Sequence, residues 1–275
     1  MATVTLTTEL RNEYQHLFAT CQMRPERATT VDALATQIVQ NQPRYTAVGE
    51  PLGIPWYFIG VIHSMEASLN FRTHLHNGDP LTARTVHVPA GRPKTGQPPF
   101  TWEVSATDAL QVEHVDQWQD WSIPGMLYKL EGYNGFGYRT RHPEVLSPYL
   151  WSYSNHYESG KYIADGTFSL SAVSQQCGAA VLLRRMAEIG TIQFDPSGVP
   201  LPAATQKPGN GAPLAQFEPL VRFSATEQSP LVEELQRALD KFPGIFVKVD
   251  GIAGPRTSDA FKKVTGHYLL GDPRT

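Results

Sequence analysis

The sequence predicts an α+β protein, mostly helical, built as one large module and one small one. Three observations point there. Apolar residues recur at helical spacing along most of the first part of the chain. One segment, 70–100, breaks that rhythm with Gly, Pro, Thr and His. A Pro-rich stretch then separates this part from a short helical tail. The chain has 275 residues, 41% hydrophobic and 18% charged. That is enough apolar material for a packed core, and length enough for two unequal domains.

The elements follow in order. Leu10, Tyr14, Leu17, Phe18 and Cys21 keep helical spacing and predict a helix over 7–21. A second helix is expected over about 30–40, with Thr29 or Thr30 as its cap. The third begins at Gly53-Ile54-Pro55, with Pro55 in the first turn, and is expected to reach about Leu69. Over 70–100 we expect a small β-hairpin region plus loop, since Arg84-Thr85-Val86-His87-Val88 alternates like a short strand. Helical patterning returns at 102–115 and 123–131. A Gly/Tyr-rich run, Gly132 to Tyr138, and an aromatic and Ser-rich segment, 147–168, come next. Ser169–Glu188 then predicts a buried helix, with Val173, Cys177, Ala180, Val181 and Leu183 inward and Gly190 as its stop. The expected domains are 1–195, a semi-extended linker over 196–228 carrying Pro196, Pro200, Pro202, Pro208, Pro213 and Pro219, and a small helical domain over 229–275.

Composition excludes several classes. The net charge is −3, with no polybasic footprint, so nucleic acid is not an expected partner. No run of 18 apolar residues occurs, so no membrane span is expected. Met1 to Thr7 lacks a basic region and an apolar core segment, so no secretory signal is read there. Cys21 and Cys177 are expected to be buried free thiols, with a single bridge as the alternative. No cofactor is expected. His74 and His76, with His63 and Asp79 nearby, suggest a zinc peptidase or amidase, but no His-Glu-x-x-His and no Cys ligand pair accompany them. The chain is expected to act as a monomer.

In the tail, Ser229-Pro230 starts a helix with Leu231, Leu235 and Leu239 on one face. Phe246 to Val249 reads as extended, and Asp250-Gly251 as a turn. Leu235-Gln236-x-x-Leu239, then Val249-Asp250-Gly251-Ile252-x-Gly254-Pro255-x-Thr257, then Ala260-Phe261, resembles the three-helix peptidoglycan-binding domain family. Lys262-Lys263-Val264 stands where that family usually carries Phe-Gln. The resemblance implies a three-helix domain and a cell-wall polysaccharide as partner.

In the large module the most informative residue is Glu66. Phe58, Ile62, Glu66 and Asn70 advance by four and share one helical face, flanked by Ile54, Met65 and Leu69. A carboxyl group thus sits on an apolar stripe near a helix C-terminus. Desolvation and the negative end of the helix dipole both favour its protonated form. Such an acid suits proton donation to a glycosidic oxygen. The plainer alternative is a Glu paired with Arg72 or bonded to His63. The run Glu66-Ala67-Ser68-Leu69-Asn70-Phe71 resembles the end of the catalytic helix in the lysozyme-like superfamily, which includes goose-type lysozymes, lytic transglycosylases, chitosanases and plant-type chitinases.

That resemblance implies a lysozyme-like domain that cleaves β-1,4 bonds in a hexosamine polymer, with peptidoglycan first and chitin or chitosan second. Asp79, in Asn77-Gly78-Asp79-Pro80, is the expected second carboxylate, and turn chemistry is its competing explanation. Glu103 and Asp108 are weaker candidates. Tyr133, Asn134 and Tyr138 are expected substrate contacts, where glycines admit backbone and Tyr faces stack on sugar rings. Trp151, Tyr153 and Asn155 form a second expected rim. For these aromatics, core packing is the alternative. A protein of this kind without a signal would be made in the cytoplasm and reach the wall by release or injection, as a phage endolysin or an antibacterial effector does.

Overall fold

The computed structural model describes residues 4–164, 166–194, 214, 217, 218, 220–242 and 244–274. The chain divides into two compact units, Met1–Ile192 and Gln193–Thr275.

The first unit is mostly helical. In order it runs α1 (Thr8–Ala19), α2 (Ala28–Gln40), α3 (Gln42–Gly49), α4 (Trp56–Ala67), α5 (Trp102–Val112), α6 (Ile123–Tyr133), α7 (Gly137–Arg141), α8 (Pro148–Trp151), β1 (Lys161–Ala164), β2 (Thr167–Ser169) and α9 (Ala179–Glu188). The two strands pair antiparallel. Helix α4 is apolar nearly all round and buries Phe58, Ile59, Val61, Ile62, His63 and Met65. A helix with no polar face belongs inside a protein. It is flanked by α2, α3 and α9. At Gly60 the approach is closest: a Cβ there would lie 2.5 Å from Ile38 Cγ2 of α2 and 3.2 Å from the Tyr45 ring of α3.

Buried polar groups tie the outer helices down. Tyr14 of α1 donates to Glu131 of α6, and Arg139 Nη2 meets the same carboxylate at 3.0 Å. The Arg184 guanidinium donates to the carbonyls of Phe18 and Ala19, which lack helical partners at the end of α1. Arg185 Nε reaches Asp32 of α2 at 2.5 Å.

Some elements depart from the sequence reading. Helix α3 was not expected. Pro43 interrupts the α2 pattern and opens α3 from its first turn, where a missing N–H is harmless. No strand forms over Arg84–Val88; the Asp79 carboxylate takes the amides of Val86 and His87, so no ladder partner is needed. Within 70–100 the expected hairpin is reduced to a single antiparallel bridge between Thr73 and Pro80, and the two-stranded hairpin lies at β1 and β2. The helix expected over 169–188 begins only at Ala179. Gly178 packs against the Leu150 carbonyl at a spot with no room for a Cβ, and its N–H bonds Ser152 O rather than a preceding turn. Val173, expected inward, is 45% exposed.

The second unit holds α10 (Pro230–Leu239) and α11 (Pro255–Thr265). Among the described residues these are its two α-helices, where three were expected. Extended chain and turns over 245–252 occupy the space between them. Of the expected linker, 196–213, 215, 216 and 219 lie outside the described residues. Its later part is no linker: Leu214, Phe217 and Val221 are buried with Leu235, Leu239, Val247 and Phe261. Single bridges also join Arg222 to Leu270 and Gln228 to Ile252.

One side chain organises this unit. Gln236 is buried, and its Oε1 accepts from the amides of Asp250 and Gly251, both at 2.9 Å. Its Nε2 donates to Asp250 Oδ1, Ile252 O and Thr257 Oγ1. Gly251 holds φ 72° with its Cα against the Ser229 backbone, which requires glycine. The Leu-Gln and Asp-Gly-x-x-Gly-Pro-x-Thr runs are therefore the two halves of one hydrogen-bonded turn.

Two outcomes follow. Gly60→Val is expected to destabilise the first unit by about 1–3 kcal/mol, because overpacking outweighs the helix propensity gained on losing a glycine. A urea titration read by tryptophan fluorescence checks it, and an unchanged midpoint would refute close packing there. Gln236→Leu leaves two buried amides unpaired and is expected to cost the second unit about 2–4 kcal/mol. Calorimetry of the full chain should show the transition of the second unit moving down while that of the first stays in place.

Candidate functional site

Glu66 occupies the last turn of α4 and is half-buried. The sequence of α4 puts it there. The apolar residues around the helix draw it into the core, and the chain must turn out immediately after. Ser68 and Leu69 do so with φ 49° and 58°, both left-handed and neither glycine. Each such residue costs roughly 1–2 kcal/mol of backbone strain, of the kind that collects at functional sites. The Gln176 amide donates to the Met65 carbonyl at 2.6 Å, closing one acceptor of the same helix end.

The partner of Glu66 is a phenol, not a cation. Tyr149 Oη of α8 donates to Glu66 Oε1 at 2.8 Å. Neither Arg72 nor His63 holds it. His63 bonds Tyr45 Oη at 3.0 Å inside a box of Phe71 and Trp102. Burial pulls His63 down to about 4, so it is neutral at ordinary pH.

Burial raises the pKa of Glu66 above the usual carboxylate value. The Tyr149 hydrogen bond opposes this by favouring the anion, and the charge of Glu113 pushes the same way as burial. Tyr149 and Tyr133 are also raised, first by burial and then by Glu66. They therefore stay protonated donors. The site thus offers a carboxylic acid that holds its proton to higher pH than a solvated one, hydrogen-bonded to one neutral phenol and within electrostatic reach of a second.

Asp79 has a different environment. It is buried, and accepts from the amides of Val86 (2.8 Å) and His87 (3.0 Å) and from the His87 ring (2.5 Å). Burial alone would raise its pKa, but these bonds outweigh it and hold it at about 2. The carboxylate is an anchor for loop 79–87, and both its oxygens are occupied. Glu103 pairs with Arg44, and Asp108 with Arg92 and His76.

Of the expected substrate contacts, Tyr133 is within electrostatic reach of Glu66, and the exposed Asn134 follows it in the chain. The others belong to the core. Tyr138 is buried against Tyr162 and Phe168, and its oxygen accepts from the Tyr162 amide. Trp151 is 1% exposed and has no face for a sugar. Tyr153 is buried, with its hydroxyl on Gln175 O and Arg27 over its ring. Asn155 is exposed, but its amide bridges Gln22 N and Thr20 O at the end of α1. This second rim is scaffold. Sequence reasoning missed Tyr149, which sits in no local pattern that marks it because it reaches Glu66 only through the fold.

The histidines do not converge. His74 bonds Ser105 Oγ and Ala83 O, while His76 bonds Asp108. Among the described residues no three His, Cys, Asp or Glu side chains group as metal ligands. Cys21 and Cys177 are buried free thiols, which burial pushes up to about 12 and higher still, respectively. No helix among the described residues is long and apolar enough to cross a membrane. Compared with protein-family models, with curated proteins and with solved structures, the chain matches none.

The raised pKa of Glu66 has a signed consequence for stability. Folding favours its protonated form, so that contribution is full below the unfolded value of about 4.5 and is lost as pH rises through the folded one. At neutral pH the ionised group, deprived of part of its hydration by burial, therefore opposes folding. Glu66→Gln is thus expected to melt higher than the parent at pH 7, with the gap closing below pH 4. A Gln variant that melts lower at pH 7 would contradict this sign.

Proposed function

We propose that the first unit is a glycoside hydrolase of lysozyme type, cleaving β-1,4 bonds of the peptidoglycan glycan strand. Glu66 serves as the general acid. The observation that carries this reading is the environment of that one carboxyl: half-buried at the end of an apolar helix, with a phenol on one oxygen and, among the described residues, no cation paired with either. A carboxylic acid that keeps its proton to higher pH than a solvated one can hand it to the departing sugar oxygen as the bond breaks. Tyr149 holds Oε1 and leaves Oε2 for the substrate. Tyr133 and Asn134 line the approach, and the Tyr face suits a pyranose ring.

The second unit would anchor the enzyme. Its Gln236-centred turn supports the resemblance to peptidoglycan-binding domains, and tethering raises the local concentration of enzyme at an insoluble polymer. The wall itself is the substrate class that joins the two units. A role as phage endolysin or injected antibacterial effector fits this reading.

Glu66→Gln is expected to abolish release of reducing ends from purified peptidoglycan while binding to the sacculus persists. Retained lysis by that variant would remove the mechanism. Mass analysis of the products should show cleavage in the glycan strand rather than freed amines. Tyr149→Phe removes a hydrogen bond that favours the carboxylate, so the pKa of Glu66 rises further. The alkaline limb of the kcat profile is then expected to move to higher pH, since the acid form persists longer. A move to lower pH would show that Tyr149 does not act on this proton.

A further inference from the structure

The end of α4 breaks the helical hydrogen-bond ladder at one definite place. In a regular helix the Leu69 N–H would bond the Met65 carbonyl, four residues back. Here the left-handed turn at Ser68 and Leu69 sends both of their N–H groups to the His63 carbonyl, Leu69 at 3.1 Å. The Met65 carbonyl loses its helical donor. The Gln176 side chain supplies one instead, from Nε2 to Met65 O at 2.6 Å. Three covalent bonds join that oxygen to the Glu66 Cα, so the Gln176 amide nitrogen lies within about 7 Å of it.

Gln176 is exposed, yet the chain that carries it is held firmly. Segment 172–178 is pinned along its length. Ala172 O accepts from Gly160 N at 2.8 Å, and Ser174 N donates to Tyr157 Oη at 3.1 Å. Ser174 O accepts from Ser152 Oγ at 3.4 Å, Gln175 O from Tyr153 Oη at 2.5 Å, and Gly178 N donates to Ser152 O at 2.9 Å. Tyr149 lies in α8, immediately before this stretch, and Gly178 packs on the Leu150 carbonyl of the same helix. One hydrogen-bonded frame therefore carries both groups that hold the turn of the acid. Tyr149 takes its carboxyl, and Gln176 takes the backbone one residue before it.

From these contacts we infer that Gln176 is a positioning residue for the proposed reaction: by bonding Met65 O it fixes the turn that sets the Glu66 carboxyl on Tyr149. The inference rests on the assignment of Glu66 as acid. Gln176 touches no reacting atom; it acts through Met65 and Glu66. The turn needs such support, because Ser68 and Leu69 are strained and relax if the surrounding contacts are loosened. A proton donor also has to be held closely, since a displacement of about 1 Å can cost on the order of 10²-fold in rate.

The test uses the full chain on purified peptidoglycan. Gln176→Met keeps the length of the side chain and removes the donor. Gln175→Met is the control on the same frame, since Gln175 Nε2 bonds only Val173 O, at 3.5 Å, among the described residues. Tyr149→Phe, the double variant Gln176→Met with Tyr149→Phe, and Glu66→Gln complete the set. Gln176→Met is expected to lose on the order of 10-fold in kcat, with KM within roughly two-fold and melting within about 4 °C of the parent. Tyr149, Tyr133 and Glu113 are the titratable groups that interact with Glu66, and Gln176→Met changes none of them. The alkaline limb of its kcat profile should still move to higher pH, as in Tyr149→Phe, because the negative helix end loses a donor and the carboxylate its phenol. The double variant should be no slower than the slower single one, since both act on one contact. A parental kcat or an unmoved limb in Gln176→Met, with Glu66→Gln dead, overturns the positioning role and leaves the acid assignment standing. Losses that add in the double variant, or an equal loss in Gln175→Met, overturn it too. An active Glu66→Gln removes the acid assignment and this inference together.

Discussion

The structure depends on placing one ionisable carboxyl at the edge of the most apolar helix in the chain. Helix α4 packs against α2, α3 and α9, and its last turn comes partly to the surface. Glu66 sits on that turn. Its desolvation opposes ionisation, and the fold supplies no cation to reverse the effect. It supplies Tyr149, a neutral donor that orients one oxygen and tempers the effect of burial without neutralising the group. An arginine in that position would have produced a salt bridge and a permanent anion.

Much of the remaining chain supports this arrangement. Gly60 lets α4 lie close to Ile38 and Tyr45. Gly178 lets α9 begin against the Leu150 carbonyl, fixing α8 and with it Tyr149. The buried Asp79 pins the loop that follows α4, so the chain beyond Glu66 is held by hydrogen bonds to a carboxylate as well as by the single Thr73–Pro80 bridge. Charge-assisted bonds of this kind are worth about 1.5–3 kcal/mol each, enough to order a loop that has little apolar surface to bury. The left-handed residues at Ser68, Leu69 and His114 show that strain is tolerated around the site.

The second unit uses the same device with opposite chemistry. Where Glu66 is left short of polar partners, Gln236 is fully supplied with them. A buried amide can satisfy two donors and two acceptors at once, so it specifies a turn without carrying charge. This is why a short module with few helices can hold a defined shape.

The boundary between what was legible in the sequence and what was not follows the range of the interactions. Helix α4, its buried face and the isolated acid on it were legible, because a 3.6-residue period is a local property. The Asp250-Gly251 turn and the starts of α10 and α11 were legible for the same reason, being set by Pro and Gly at their own positions. The strand expected at Arg84–Val88 was an error of environment: alternation describes a strand only if a partner strand exists, and Asp79 took the amides instead. The aromatic rim at Trp151 and Tyr153 was likewise misassigned, since a Trp in a core and a Trp in a cleft look alike in one dimension. Tertiary structure alone decided that Tyr149 holds Glu66 and that Asp79 is spent. Those choices are made between residues tens of positions apart, where chain packing rather than local propensity sets the distances.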